Sequence, residues 1–290
     1  MKTYRLITAG IGFFVAAVTC YAIVQLWAWA GSPEPRVQTV HKIVTHIAKP
    51  QPLESNAGEH PLDRPIALAK QALATLEKVD GYTATLVKRE RIGDDLCSPE
   101  KMELKLRHEP LSIYLKFLTP DSVAGREVIY VEGANDGKLL VHMPGPLMRQ
   151  LGTLALNPTG FLALQGQRYP ITELGVKKLT EQLIERGEHD QHVRRAPRVQ
   201  FFHGAKIGDT PALRIEVVHQ EQWEDDPAYK AVVYLNAEHM IPIRYEGYGW
   251  PATPDEEPSL LEQYTYLDVE LNPGLTDADF ETGNRAYRFP

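Results

Sequence analysis

The stretch that decides the fold is MELKLR at residues 102–107, followed by LSIYLKF at residues 111–117. In the first run, Met102, Leu104 and Leu106 alternate with charged residues. In the second run, apolar residues again occupy every other position, from 111 to 117. A strand that buries one face and exposes the other to water has this period of two. The two runs therefore predict neighbouring antiparallel strands.

The same reading extends along the chain in both directions. Residues 126–131 and 138–142 flank Asn135-Asp136-Gly137, a strong signal for a β-hairpin. Later strands are predicted at 197–203, 211–219, 229–236, 240–247 and 260–271. Helical spacing predicts one helix that begins at Asp63 and is ended by Gly81, and a second over 172–186 that is ended by Gly187. Consecutive strands without intervening crossover helices indicate an α+β fold with an antiparallel sheet.

The N-terminal segment predicts export. Lys2 and Arg5 precede residues 6–29, which carry no charge, and about 20 apolar residues suffice to cross a bilayer. Basic residues on the N-terminal flank favour an orientation with the rest of the chain outside the cytoplasm. We therefore predict a membrane anchor or signal segment over 1–30, on the periplasmic side of a bacterial inner membrane. Cleavage after Ala30, giving a periplasmic or secreted protein, and lipidation at Cys20 are the alternatives.

Two further segments complete the predicted organisation. Residues 31–62 are rich in proline and poor in large apolar residues, which is typical of a linker. Residues 63–290 then form a single β-rich extracytoplasmic domain. The formal net charge of −7 and the pI near 5.8 argue against nucleic acid as a partner. Cys20 and Cys97 are the two cysteines, so no disulfide framework is predicted.

Common catalytic and cofactor motifs are absent from the sequence. It contains no G-x-S-x-G, H-E-x-x-H, Walker loop, G-x-G-x-x-G or C-x-x-C. The run from His189 to His192 resembles a metal site most closely, but we interpret it as a solvated charged loop because zinc sites need more ligands and a second shell. We predict no catalytic residues, no metal and no cofactor, and hence no enzyme.

One segment has an unusual composition for a loop. Residues 144–166 contain seven prolines and glycines, which break regular structure, together with many large apolar side chains. Such a segment must cover a core or close over a ligand. We predict a displaceable lid over an apolar pocket, and the alternative is a permanent plug of core residues. The predicted ligand-binding residues are Leu147, Met148, Leu151, Leu154, Phe161, Leu162 and Leu164 of the segment, with Leu115 and Phe117 of the strand beneath it.

Several motifs, in their order along the chain, are familiar as a set. They are YTATL at 82–86, LKFLTP at 115–120 with GRE at 125–127, NDG at 135–137, VYLN at 233–236 leading to IPIR at 241–244, and LTDADF at 275–280. Over roughly residues 65–285 the chain resembles an uncharacterised bacterial family, domain of unknown function number fifteen-seventy-one. That family is similar in turn to the periplasmic lipoprotein carriers of the LolA type. The resemblance implies a curved, incomplete antiparallel β-barrel, with helices on its concave side and an apolar interior for acyl chains.

These readings predict a function at a membrane surface. We expect non-catalytic extracytoplasmic binding of an apolar ligand, a lipid or a lipoprotein acyl chain. One alternative is an envelope protein-interaction or sensing module with a filled barrel, and another is an enzyme with an unrecognised site. A retained anchor at residues 6–29 would hold the domain at one membrane, so the resemblance supports the fold more than it supports shuttling.

Overall fold

A computed structural model of the protein describes residues 44–46, 59–145, 152–223, 228–253 and 255–290. The predicted anchor at 6–29 and most of the predicted linker lie outside the described residues. None of the helices in the described ranges has the length and apolar character needed to span a bilayer. The division into anchor, linker and domain stays a prediction.

The described residues form one antiparallel sheet of thirteen strands. The strands are β1 Val44–His46, β2 Gly81–Ile92, β3 Asp95–Leu96, β4 Glu100–Arg107, β5 Ser112–Thr119, β6 Glu127–Val131, β7 Leu139–His142, β8 Leu154–Leu156, β9 Arg198–Ile207, β10 Thr210–Val218, β11 Ala228–Asn236, β12 Pro242–Gly249 and β13 Leu260–Leu271. Their order is β1-β9-β10-β11-β12-β13-β2-β4-β5-β6-β7-β8, with β3 paired to β2. The sheet is curved and open, since this order runs from β1 to β8 without closing on itself. The predicted antiparallel strands are confirmed.

Three α-helices and three short 3-10 turns accompany the sheet in the described residues. The helices are α1 Asp63–Leu76, α2 Phe161–Leu164 and α3 Val176–His192, and the turns are Asn135–Gly137, Ile171–Glu173 and Asp277–Phe280. The longer helices, α1 and α3, pack against each other and cover one face of the sheet. That this face is the concave one stays a prediction.

Two predicted helix ends are wrong, and both errors concern a glycine. Gly81 does not end α1, which stops at Leu76, but begins β2. A Cβ at Gly81 would lie 2.5 Å from the carbonyl oxygen of Leu106, so strand pairing requires glycine there. Gly187 lies inside α3, where a Cβ would lie 2.8 Å from Cγ1 of Ile66 in α1. Both glycines serve close packing between elements, which local sequence does not reveal.

The strand register defines the face that the helices cover, which we call the helix-side face. Side chains opposite each other in neighbouring strands point to the same face. Residues Ile215 and Val233 of this face line a space beneath α1 and α3. From there the row of register partners runs through Tyr245, Tyr264, Lys88 and Glu100 in β12, β13, β2 and β4. In β4–β8 the same face carries Met102, Leu104, Leu115, Phe117, Val128, Val141 and Leu154.

The C-terminal segment covers part of the opposite face. Phe280 is buried against Tyr114 and Ile129, and the ring of Tyr287 stacks on that of Tyr114 with 3.9 Å between centroids. Lys105 Nζ lies 2.6 Å from Asp279 Oδ1 and fixes the turn that carries Phe280. These contacts fasten the chain end to β4–β6 on the side away from the helices.

Candidate ligand-binding site

A cavity lies between α1, α3 and strands β10–β12, and we call it the helix cavity. It has a volume of about 90 Å³ and is open to solvent. Sites for small ligands have mostly apolar walls with a few polar groups. The lining residues are Leu62, Pro65, Ile66, Ala69, Leu183, Arg186, Gly187, Asp190, Ile215, Val217, His219, Ala231, Val233, Leu235 and Pro242. The lining therefore suits an apolar group.

The apolar walls follow from the periodicity of each element. Ile66 and Ala69 lie three residues apart on α1, so they share the helix face that is turned to the sheet. Ile215 and Val217, two residues apart in β10, point to that same side. Gly187 allows α3 to approach Ile66, as its missing Cβ shows. The helices thus touch each other while leaving room between themselves and the sheet.

The polar groups of the helix cavity are Arg186, Asp190 and His219. Asp190 is 3% exposed, and its Oδ1 lies 3.4 Å from Nη1 of Arg195. Its other oxygen, Oδ2, lies 3.6 Å from Nε2 of His219. The predicted solvated loop at 189–192 is therefore wrong, because these residues form the last turn of α3 and Asp190 is buried in ion-pair contacts.

Burial lowers the pKa of His219, and the cations of Arg186 and Arg195 lower it further, against the opposing effect of Asp190. The imidazole is therefore neutral at neutral pH. Among the lining residues, Arg186 carries a positive charge and Asp190 a negative one. These groups suit a polar end of a ligand whose remainder is apolar.

The lining of the helix cavity contains no hydroxyl, thiol or lysine amine. None of its residues is Ser, Thr, Cys, Tyr or Lys, so the His219–Asp190 contact has no hydroxyl or thiol to activate. The described part of the chain also holds no group of three or more metal-ligating side chains. The Cys97 thiol lies outside the cavity, and burial together with the charge of Glu100 raises its pKa.

A buried polar network separates the helix cavity from the apolar half of the face formed by β4–β8. Lys88 Nζ lies 3.2 Å from Oε2 of Glu90 and 3.2 Å from Oε2 of Glu100. It also donates a hydrogen bond to the side-chain oxygen of Gln167, which follows α2. Lys88 and Glu90 are 7% and 4% exposed. A buried cation is thus surrounded by acceptors from two strands and one loop.

A second set of contacts extends this network to β13. Arg168 Nε lies 3.2 Å from Oε2 of Glu262, and the backbone N–H of Arg168 donates to Glu90 Oε2 at 3.2 Å. The hydroxyl of Tyr264 donates to Glu90 Oε1 at 2.5 Å. Burial raises the pKa of Glu262, and Arg168 offsets only part of that effect. The network pins residues 167–168 onto the sheet.

The amino-acid sequence as a whole was compared with known protein families. The family described as "Protein of unknown function (DUF1571)" matches residues 79–289. The chain belongs to this family. No curated protein matches it.

Several solved structures are similar to this DUF1571 member. One is a LolA superfamily protein from Nitrosomonas europaea, with 13% identity, coverage of 74% of this chain and 96% of that one, and a TM-score of 0.32. Another is the lipoprotein LppX from Mycobacterium tuberculosis, with 12% identity, coverage of 74% and 98%, and a TM-score of 0.43. A third is MucB in the MucA/MucB complex from Pseudomonas aeruginosa, with 14% identity, coverage of 78% and 63%, and a TM-score of 0.44. At this distance, functional inference rests on the geometry of the DUF1571 chain itself.

The structure places the predicted site residues in three different environments. Leu115 and Phe117 are buried on the helix-side face, and Leu154 in β8 is half-buried beside Val141. Leu164 is half-buried, whereas Phe161 is 80% and Leu162 is 51% exposed. Leu147, Met148 and Leu151 lie outside the described residues. None of the predicted residues lines the helix cavity, and the lid stays a prediction.

Sequence reasoning missed the residues of the helix cavity, although part of the signal was present. The stripe Ile66 and Ala69 indicated that α1 packs on an apolar surface, and Leu183 indicated the same for α3. The sequence does not reveal that both helix stripes face the same strands. The register that brings Val233 under both helices depends on pairings between distant segments.

Proposed function

We propose that this protein binds an apolar ligand, a lipid or the acyl chain of a lipoprotein, without catalysis on the extracytoplasmic side of a membrane. The observation that carries the proposal is the helix cavity, which has a volume of about 90 Å³ and mostly apolar walls and lies between two helices and the sheet. In this proposal, the end of an acyl chain inserts between Ile66 on α1 and Val233 on β11. The uncharged run at 6–29 behind Lys2 and Arg5 supports the location.

The arrangement of polar groups supports an amphiphile over a uniformly apolar molecule. Arg186, Asp190 and His219 line the cavity, and the remaining lining residues are aliphatic, glycine or proline. A polar headgroup of the ligand would lie beside these three side chains.

Filling the cavity tests the proposal. Ala69→Trp places a large ring in the space between α1 and the sheet, while Ala237→Trp, at an exposed position after β11, is the matched control. Excluding only two methylene groups of a ligand costs about 1.6 kcal/mol, which is about a tenfold loss of affinity. We expect Ala69→Trp to weaken binding of a fluorescent fatty acid at least tenfold and the control to bind like the parent.

The assay uses the full chain in nanodiscs, with empty nanodiscs as the blank. Unchanged melting of Ala69→Trp would show that the loss of binding is local. Equal binding by Ala69→Trp and the parent, or no binding by the parent, would contradict the proposal.

A second candidate function, an interaction or sensing module with a filled interior, is favoured by the other half of the helix-side face. Leu154, Leu156 and Ala163 pack onto the buried core there. The fatty-acid assay separates the two functions, because a filled module gives no saturable binding by the parent protein.

A further inference from the structure

The two most exposed large apolar side chains in the described ranges are neighbours. Phe161 is 80% and Leu162 is 51% exposed, and both belong to α2. Scattered exposed apolar residues are ordinary on protein surfaces, but adjacent ones at a loop tip form an apolar patch, which is typical of an interaction surface. We call this pair the α2 tip.

The backbone holds the α2 tip in a defined position. The carbonyl oxygen of Asn157 accepts a hydrogen bond from the N–H of Gly160 at 2.9 Å. The carbonyl oxygen of Gly160 accepts hydrogen bonds from the N–H groups of Ala163 and Leu164 at 3.0 Å each. Ala163, the next residue, turns inward and packs against the core. The tip therefore points outward because its own neighbour is fixed inward.

The residues after α2 are fastened as well. Lys88 binds the side chain of Gln167, and Arg168 contacts Glu262 at 3.2 Å. The apolar tip is thus presented on a loop anchored at both ends, which lowers the entropic cost of binding a surface.

The charge around the tip indicates which surface. Residues 137–172 contain no Asp or Glu, although the chain has 38 such residues and a net charge of −7. Lys138 is exposed and precedes Leu139, which pairs with Leu156 of β8, the strand that leads to α2. An apolar tip on a segment that carries Lys138 and no carboxylates complements an anionic lipid surface.

We propose that the α2 tip docks the domain onto the anionic surface of a phospholipid bilayer, with Phe161 and Leu162 inserted at the level of the headgroups. The docking is independent of the proposed cavity function, since the tip shares no residue with the helix cavity.

The test uses the full chain reconstituted into vesicles, with Cys20 and Cys97 replaced by serine. A bimane label is attached through Leu162→Cys, and in a matched control through Val193→Cys, which is 41% exposed at the end of α3. Vesicles carry a lipid-borne quencher at the headgroup level and contain either phosphatidylcholine alone or phosphatidylcholine with phosphatidylglycerol.

We expect the label at 162 to be quenched strongly in vesicles with phosphatidylglycerol and several-fold less in phosphatidylcholine alone, and the label at 193 to remain unquenched in both. Adding Phe161→Ser to the Leu162→Cys protein is expected to reduce quenching to the level of the control. Equal quenching at 162 and 193, or none at 162, would overturn the proposal. A blue shift at 162 that grows with protein concentration without quenching would assign the tip to a protein contact instead, and would overturn it too.

Discussion

Lys88 provides the sharpest single test of the polar network. Its ammonium group lies 3.2 Å from carboxylates of both Glu90 and Glu100 and also holds Gln167. Lys88→Met keeps a side chain of similar length but removes the charge. Glu90 and Glu100 then lose their shared counter-ion, and Gln167 loses its donor.

The burial of these groups sets the size of the effect. The side chains of Lys88 and Glu90 are 9% and 5% exposed, so water cannot replace the lost partner. Removing one member of a buried ion pair costs about 3–5 kcal/mol, which corresponds to a fall in melting temperature of roughly 6–20 °C for a domain of this size. Lys101→Met is the matched control, because Lys101 is exposed in the neighbouring strand β4 and should cost less than about 0.5 kcal/mol.

Thermal unfolding of the full chain in mild detergent, followed by near-UV circular dichroism, measures both variants. Adding Glu90→Gln to Lys88→Met should recover part of the loss, since one uncompensated carboxylate is then removed. Hydrogen exchange at the N–H of Arg168, which donates to Glu90, should speed up in Lys88→Met. Equal melting of Lys88→Met and Lys101→Met would refute the network as a stabilising feature.

Three further predictions concern protonation and topology. The pKa of Glu262 is raised by burial, so its contribution to folding stability is present below the pKa of the unfolded state and is lost as pH rises through the pKa of the folded state. The melting temperature of the parent minus that of Glu262→Gln should therefore fall as pH rises from 4.5 to neutral. A difference that stays constant with pH would contradict this. Burial alone would raise the pKa of Asp279, but hydrogen bonds from Lys105 and Thr276 outweigh it and lower the pKa. The parent minus Asp279→Asn difference should therefore be largest near neutral pH and shrink as pH falls below 3.8, whereas growth of the difference in acid would argue against the Lys105 contact. A C-terminal reporter that works only outside the cytoplasm should be active, and activity of a reporter that works only inside would overturn the predicted export.

The strands could be predicted because their signal is local. Met102, Leu104 and Leu106 alternate with charged residues within a few positions, and the pattern repeats in the next strand. Each strand therefore indicates its own type without knowledge of its partner. The turn at Asn135-Asp136-Gly137 is local too, since Asn135 and Asp136 adopt positive φ values of 53° and 55° that these residues tolerate.

The contacts of the polar network could not be predicted, although the face of β2 on which Lys88 and Glu90 lie could. Lys88 and Glu90 continue the period of Ala84 and Leu86, so alternation places all four on one face. Alternation does not reveal that Gln167 and Arg168 cover that face, because the contact joins residues far apart in the chain. Charged residues in a strand are usually exposed, and here tertiary packing reverses that expectation.

The predicted end of α3 is wrong for a related reason. Glycine commonly ends helices, yet α3 continues through Gly187 to His192 because Gly187 packs against Ile66. With the helix extended, Asp190 moves from a supposed loop to a buried site beside Arg195. The tertiary contact of Gly187 thus accounts for both errors, the predicted helix end and the predicted solvated loop.

The central claim is that an acyl chain occupies the helix cavity, and photoaffinity labelling tests it most directly. The full chain in nanodiscs is irradiated with a fatty acid that carries a diazirine near its methyl end, and the crosslinked peptides are identified by mass spectrometry. We expect labels on Ile66 or Leu183 of the helices and on Val233 or Leu235 of β11, with loss of these labels in Ala69→Trp. Labels confined to residues 144–166, or equal labelling in the parent and in Ala69→Trp, would contradict it.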